Sequence, residues 1–288
     1  MTLKDEDDFY GELRLLLQGS NKPILVVEGE SDKKFLERLM HGSNCYIVVA
    51  NTKGEIRKLV NVFKQGYLFF LYDNDFDTTD FDQDLINDCR ATAYPAIDLE
   101  SLLLASVVDI FIEGLGHTDG ELIFDEILFL ASIMAYFRGL NASHNLGVNF
   151  DREDSLIKDV RKSSEGDDIN SIGWRLVDKL SNKIKNESTE VHIRKKFSYP
   201  SQLTLSNAIR RVSGKDLILL MSIYSKTLRN GGSIAKGGVS SLNDARAQVN
   251  IYGDWIFSIS VTNLFRFSEF RDELVELFGQ YFDGWSIG

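Results

Sequence analysis

Several carboxylates in this chain stand where a hydrophobic run stops. Val26-Val27-Glu28-Gly29-Glu30-Ser31-Asp32 carries Glu28 directly behind a β-branched run, with Gly29 allowing a tight turn and Asp32 entering a first helical turn. Leu71-Tyr72-Asp73-Asn74-Asp75-Phe76-Asp77 ends a second apolar run in the same way, and Glu100 follows a third within Asp98-Leu99-Glu100. Parallel sheets collect functional groups at the carboxyl edge of their strands. Glu28, Asp32, Asp73, Asp75 and Glu100 would then share one rim. Like charges that close raise one another's pKa values unless something compensates them. Hard divalent cations take oxygen ligands, so Mg²⁺ or Mn²⁺ is the expected compensation.

The flanking pattern supplies the elements needed to hold that rim. Ile24–Val27, Cys45–Val49, Tyr67–Tyr72 and Ala91–Ala96 read as short strands. Between them, Phe35, Leu36, Leu39 and Met40 follow helical spacing behind a Ser31 cap, as do Ile56, Leu59, Val60 and Phe63 between Glu55 and Lys64. A further helix starts near Asp98. Strands alternating with helices predict a Rossmann-like α/β domain with a parallel sheet. From about Leu122 the pattern becomes helical, with a long apolar segment at Ile123–Tyr136 and later helices at Ile172–Ile184, Leu203–Val212, Lys215–Leu228 and Phe267–Phe282. Residues 151–170 read as an exposed loop and 230–238 as a glycine-rich stretch. The expected division is an α/β domain over 1–115 and a mainly helical domain over 116–288.

A strand followed by Glu-Gly-x-x-Asp, then a later strand ending in Asp-x-Asp, resembles the Toprim domain of topoisomerases, primases and nucleases; the likeness covers roughly residues 22–105. The resemblance implies acid/base or metal chemistry for Glu28 and metal binding by Asp73 and Asp75. In the nuclease branch, typified by the overcoming-lysogenization-defect nucleases, it implies that Glu100 is a further ligand, that Asp32 joins Glu28 at a second ion, and that a late lysine stands near the site. Gly214-Lys215 is the candidate for that lysine. In length and layout the chain is also similar to the stand-alone Toprim effectors of the phage anti-restriction-induced defence system. That likeness implies a toxic endonuclease that cuts host tRNA, active as a homodimer and restrained until release by an ABC-type ATPase. Asn51-Thr52-Lys53-Gly54 lacks P-loop glycine spacing, so the ATPase is expected to be a separate partner. A DNA nuclease and a non-catalytic Toprim module that docks an ATPase remain alternatives.

Composition narrows the field. In 288 residues, 43% are hydrophobic and 26% charged, which excludes wholesale disorder and collagen-like repeats. Two cysteines exclude a disulfide scaffold and a four-thiolate zinc site. The start of the chain is acidic where a secretory leader is basic, and no apolar run approaches the roughly 18 residues of a membrane span; the expectation is a soluble cytoplasmic protein. The net charge of −11 is uneven. Residues 1–120 hold 11 basic and 22 acidic side chains, whereas 190–247 hold 10 basic and 3 acidic ones. Arg194, Lys195, Lys196, Arg210 and Arg211 in that segment form a candidate phosphate-binding surface, with Phe197 and Tyr199 beside them for stacking on unpaired bases. They are equally accounted for as solvated helix faces.

Plainer readings apply elsewhere too. Acids at a helix start complement its dipole, which accounts for Asp32 as well as metal binding does. Asp80, Asp82, Asp84 and Asp88 read as a solvated acidic loop. A calcium loop of the EF-hand type fails because Thr78 stands where glycine is required. A haloacid-dehalogenase-like phosphatase would have threonine in place of Asp77 and leaves Glu28 and Asp32 unexplained. The four histidines lack metal-ligand spacing.

Overall fold

A computed structural model describes residues 3–20, 22–42, 44–76, 83–114, 120–144, 169–183, 205–229 and 242–278. The chain is α/β, and its described residues fall into two compact units.

The first unit comprises Met1–Tyr72, Asp84–Thr92 and Glu269–Gly288. Its frame is a four-stranded sheet of β1 (Ile24–Val27), β2 (Tyr46–Val49), β3 (Leu68–Tyr72) and β4 (Ala91–Ala93), in the order β2-β1-β3-β4. β1 runs parallel to both neighbours, with Val26 opposite Val48 and Phe70. Every residue of β1 and β3 is buried, which is why both read as unbroken apolar runs rather than alternating ones. Helices α1 (Leu3–Gly19), α2 (Glu30–Leu39) and α3 (Lys53–Val62) accompany the sheet. Phe35, Leu36, Leu39, Ile56, Leu59 and Val60 are buried, as their spacing predicts. The α2 cap is Gly29 rather than Ser31, which lies one residue inside the first turn. α3 starts earlier than expected because Thr52 caps it, accepting the Glu55 N–H at 3.1 Å. α4 (Gln83–Ile86) is a single turn.

Two features of this unit are absent from the sequence reading. α1 buries Leu13 and Leu17, and the backbone oxygen of Leu17 accepts a hydrogen bond from the Tyr67 hydroxyl at 2.8 Å. The last described helix, α11 (Ser268–Phe278), returns to the sheet, where Phe278 packs on Phe69 at 4.6 Å between ring centroids.

The second unit comprises Asp73–Gln83 and Ala93–Ser268 and is helical. It contains α5 (Leu99–Gly114), α6 (Gly120–His144), α7 (Ile169–Lys183), α8 (Leu205–Ile209), α9 (Gly214–Arg229) and α10 (Leu242–Thr262), closed by a 3-10 turn at Leu264–Phe267. α5 is kinked at Val107. α9 packs on α5, α6 and α10, and Phe111, Tyr252 and Trp255 form an aromatic cluster between α5 and α10. The expected glycine-rich stretch at 230–238 and the segment 151–168 lie outside the described residues. Among the described residues no helix is long and apolar enough to cross a membrane.

Candidate active site

Glu28 and Asp73 each follow directly on the last residue of a strand, and those strands, β1 and β3, are parallel neighbours. In the first unit Glu28 is half-buried. Asp32 is buried at the start of α2, where its Oδ2 accepts the Gly29 N–H at 2.9 Å. One carboxylate oxygen of Asp32 therefore meets a backbone donor that the helix leaves over, which is the plainer of the two readings of this residue.

The second unit holds Asp73, Asp75, Glu100 and Lys215. Asp73, Asp75 and Glu100 are each half-buried. Asp75 has a left-handed backbone (φ +43°), a conformation that aspartate tolerates better than most residues. It is held there by a short backbone relay. The Asp75 N–H donates to the Ile97 oxygen at 3.0 Å, and the Ile97 N–H donates to the Arg210 oxygen at 3.2 Å. Three segments far apart in sequence are thereby laced together: the Asp73–Phe76 turn, the Pro95–Asp98 turn and the turn between α8 and α9.

Asp98, which sequence reasoning passed over in favour of Glu100, is the hub of this region. It is buried, and its Oδ1 accepts the Ser101 N–H at 2.8 Å, capping α5. Both its oxygens accept the Gly214 N–H at 3.0 Å, and Oδ2 also accepts the Ser213 hydroxyl at 2.9 Å. One carboxylate thus starts two helices. Its signal in the sequence was Asp98-x-x-Ser101, a cap-like spacing whose long-range half, Ser213-Gly214, no local pattern discloses. Gly214 is required by the closeness of the two helix starts: a Cβ there would lie 2.4 Å from the Ser101 nitrogen and 2.5 Å from the Glu100 Cβ.

That junction carries Lys215 to the acids. Lys215 keeps surface access while neighbouring atoms withdraw some of its water, which works against the ammonium; the carboxylates of Glu100, Asp73, Asp98 and Asp75 outweigh this and raise its pKa above the ordinary lysine value. Next to it, buried Asp216 receives a two-pronged hydrogen bond from Arg138 on α6, Nε to Oδ2 at 2.7 Å and Nη2 to Oδ1 at 2.6 Å. This pair fixes the first turn of α9 against α6.

The remaining acids have structural work. Asp88 pairs with buried Arg90, whose Nη1 and Nη2 also donate to the Phe63 and Val60 oxygens at 2.7 and 3.2 Å. The Arg90 hydrogen bonds hold the Asp88 carboxyl below its ordinary range. Asp84 lies 3.6 Å from Arg57. Asp77, Asp80 and Asp82 lie outside the described residues, as do Arg194, Lys195 and Lys196. Arg210 and Arg211 are described and exposed; they line a cleft of about 510 Å³ together with Asn74, Asp75, Phe76 and Asn207.

The donor set of Asp73, Asp75 and Glu100 is all oxygen and suits a hard divalent ion. Among the described residues no three of His, Cys, Asp and Glu form a ready-made metal cage. Mg²⁺ does not demand one, because it commonly keeps several waters and binds through one or two carboxylates. No family model matches this chain, and no curated protein matches it.

Proposed function

We propose that this protein is a Mg²⁺- or Mn²⁺-dependent Toprim nuclease. The observation that carries the reading is the second-unit group of Asp73, Asp75, Glu100 and Lys215, in which acids from a strand end and a helix start share the field of one lysine from a helix start more than 100 residues later. Asp98 and Gly214 are spent on placing that lysine, and an ordinary solvated acidic loop needs no such apparatus.

Asp73, Asp75 and Glu100 of the second unit would hold the metal; metal roles for Glu28 and Asp32 are proposed on the resemblance alone. Divalent ions in such a site lower the pKa of bound water and offset the negative charge of a phosphodiester. Lys215 stays protonated at neutral pH and presents a positive charge to a phosphate oxygen. Without metal, the same ammonium relieves part of the repulsion among the carboxylates. An acid/base role for Glu28 is proposed on the resemblance alone. An acidic protein can act on a polyanion under these conditions because bound metal reverses the local charge. Preference for tRNA, a homodimeric active form and restraint by an ABC-type ATPase are proposed on the resemblance in layout alone.

The test is incubation of the purified protein with labelled tRNA, single-stranded RNA, plasmid and linear DNA, in Mg²⁺, Mn²⁺ or EDTA. Metal-dependent cleavage of at least one substrate, lost in Asp73→Ala, is the expected result. No cleavage of any substrate with either ion overturns the reading in favour of an interaction module.

A further inference from the structure

We infer that the cleft beside Asp75 is a subsite for one unpaired nucleotide of the substrate strand, a claim that rests on the nuclease reading and adds to it the strandedness of the substrate. The cleft lies within the second unit, and its volume of about 510 Å³ falls in the range of roughly 300–1,000 Å³ typical of small-ligand sites. Its chemistry is divided. Arg210 and Arg211 supply two guanidinium groups at the turn between α8 and α9, and among the described residues neither is ion-paired to a carboxylate. Phe76 offers a half-exposed ring, and Asn74 and Asn207 offer amides able to donate and accept. Guanidinium for phosphate, a ring face for a base and amides for base edges make the set that reads a nucleotide rather than a bare anion.

The position of the cleft is built rather than incidental. The relay from Asp75 through Ile97 to Arg210 ties the arginine turn to the same residues that carry the metal-binding acids. A nucleotide seated here has its phosphate on the side of the arginines, with Asp75 itself part of the lining. A base can enter such a cleft only when it has left its helical stack, so the strand must be unpaired at this position.

Gly139 on α6 forms part of the lining and provides a clean way to close the cleft. A Cβ at Gly139 would meet only the Phe76 Cδ1, at 4.0 Å, which is ordinary contact, and leucine is a better helix former than glycine. Gly139→Leu therefore fills the cleft without breaking α6.

The experiment is calorimetric binding in EDTA, where nothing is cut, using the four nucleoside 5′-monophosphates, an unpaired heptanucleotide and the same sequence as a duplex. The heptanucleotide is expected to bind at least as tightly as any monophosphate, and the duplex at least about tenfold more weakly. Arg210→Ala and Arg211→Ala should each weaken the heptanucleotide and lower its salt slope by about 0.7. Phe76→Ala should cost about tenfold, and Gly139→Leu should abolish binding while leaving the thermal midpoint at or above that of the parent. Equal affinity for duplex and single strand, or arginine variants without effect, overturns the inference. Binding of monophosphates alone overturns it too, showing a site for a free nucleotide instead. Loss of binding in this assay alongside intact metal-dependent cleavage removes the subsite but leaves the nuclease; binding without cleavage does the reverse.

Discussion

Asp98 and Gly214 meet at the start of two helices, the Gly214 N–H lying 3.0 Å from both carboxylate oxygens of Asp98. The bond joins residues 116 apart in sequence and sets Lys215 in the field of Glu100, Asp73 and Asp75. Asp98→Ala leaves the Ser101 and Gly214 amides and the Ser213 hydroxyl in a buried place without their acceptor. The expected cost is about 2–4 kcal/mol in urea unfolding. A loss below about 0.5 kcal/mol would show that the junction relaxes and that Asp98 is not its hub.

Gly214→Ala tests the same junction from the other side. The methyl group must displace backbone at Ser101 and Glu100, so overpacking of about 1–3 kcal/mol is expected. Cleavage should fall even where the variant remains folded, because Lys215 shifts away from the acids. A folded Gly214→Ala protein with parental activity contradicts the placement of Lys215.

Lys215→Met separates two effects of one charge. The ammonium competes with divalent cations for the carboxylates, so its removal should tighten Mn²⁺ binding about three- to tenfold. Cleavage should fall in the same variant, since the charge presented to the phosphate is gone. The sign of the pH effect follows from the raised pKa. The stabilisation that Lys215 gives is complete below the ordinary lysine pKa and is lost only as pH climbs through the higher folded value. Stability between pH 7 and 9 should therefore be insensitive to this residue's titration, and a Lys215-dependent unfolding step in that window would contradict the assignment.

The two cysteines should differ sharply toward alkylating reagents. Burial pushes the Cys45 thiol up to about 12, whereas Cys89 is exposed. Iodoacetamide at pH 8 in native buffer should label Cys89 and spare Cys45, as read by peptide mass spectrometry. Rapid labelling of Cys45 would mean that β2 opens readily.

Much of the first unit is legible in the sequence because β1 and β3 are buried on every residue and therefore spell continuous apolar runs ending in acids. α2 and α3 announce themselves through Phe35, Leu36, Ile56 and Leu59. α1 is not legible because its acidic start, Lys4-Asp5-Glu6-Asp7-Asp8, masks the burial of Leu13 and Leu17. α10 is not legible because its apolar residues do not gather into one stripe. At the site, Asp73, Asp75 and Glu100 show by their position at the ends of apolar runs. Asp98 and Ser213 do not, because their roles exist only once α5 and α9 are brought together. Arg210 stands out in the sequence by its charge, but what ties it to Asp75 is its carbonyl, which accepts the Ile97 N–H while the Ile97 oxygen accepts that of Asp75, and no side-chain pattern records this.

The proposed divalent metal on the carboxylates at these strand and helix ends is open to direct measurement. Mn²⁺ titration by calorimetry compares the parent with Asp73→Ala, Glu100→Ala and Asp84→Ala, the last a surface acid paired with Arg57. The expected result is millimolar or tighter binding by the parent, loss of about tenfold or more in Asp73→Ala and Glu100→Ala, and no change in Asp84→Ala. Absence of Mn²⁺ binding by the parent, or equal losses in all three variants, would contradict it.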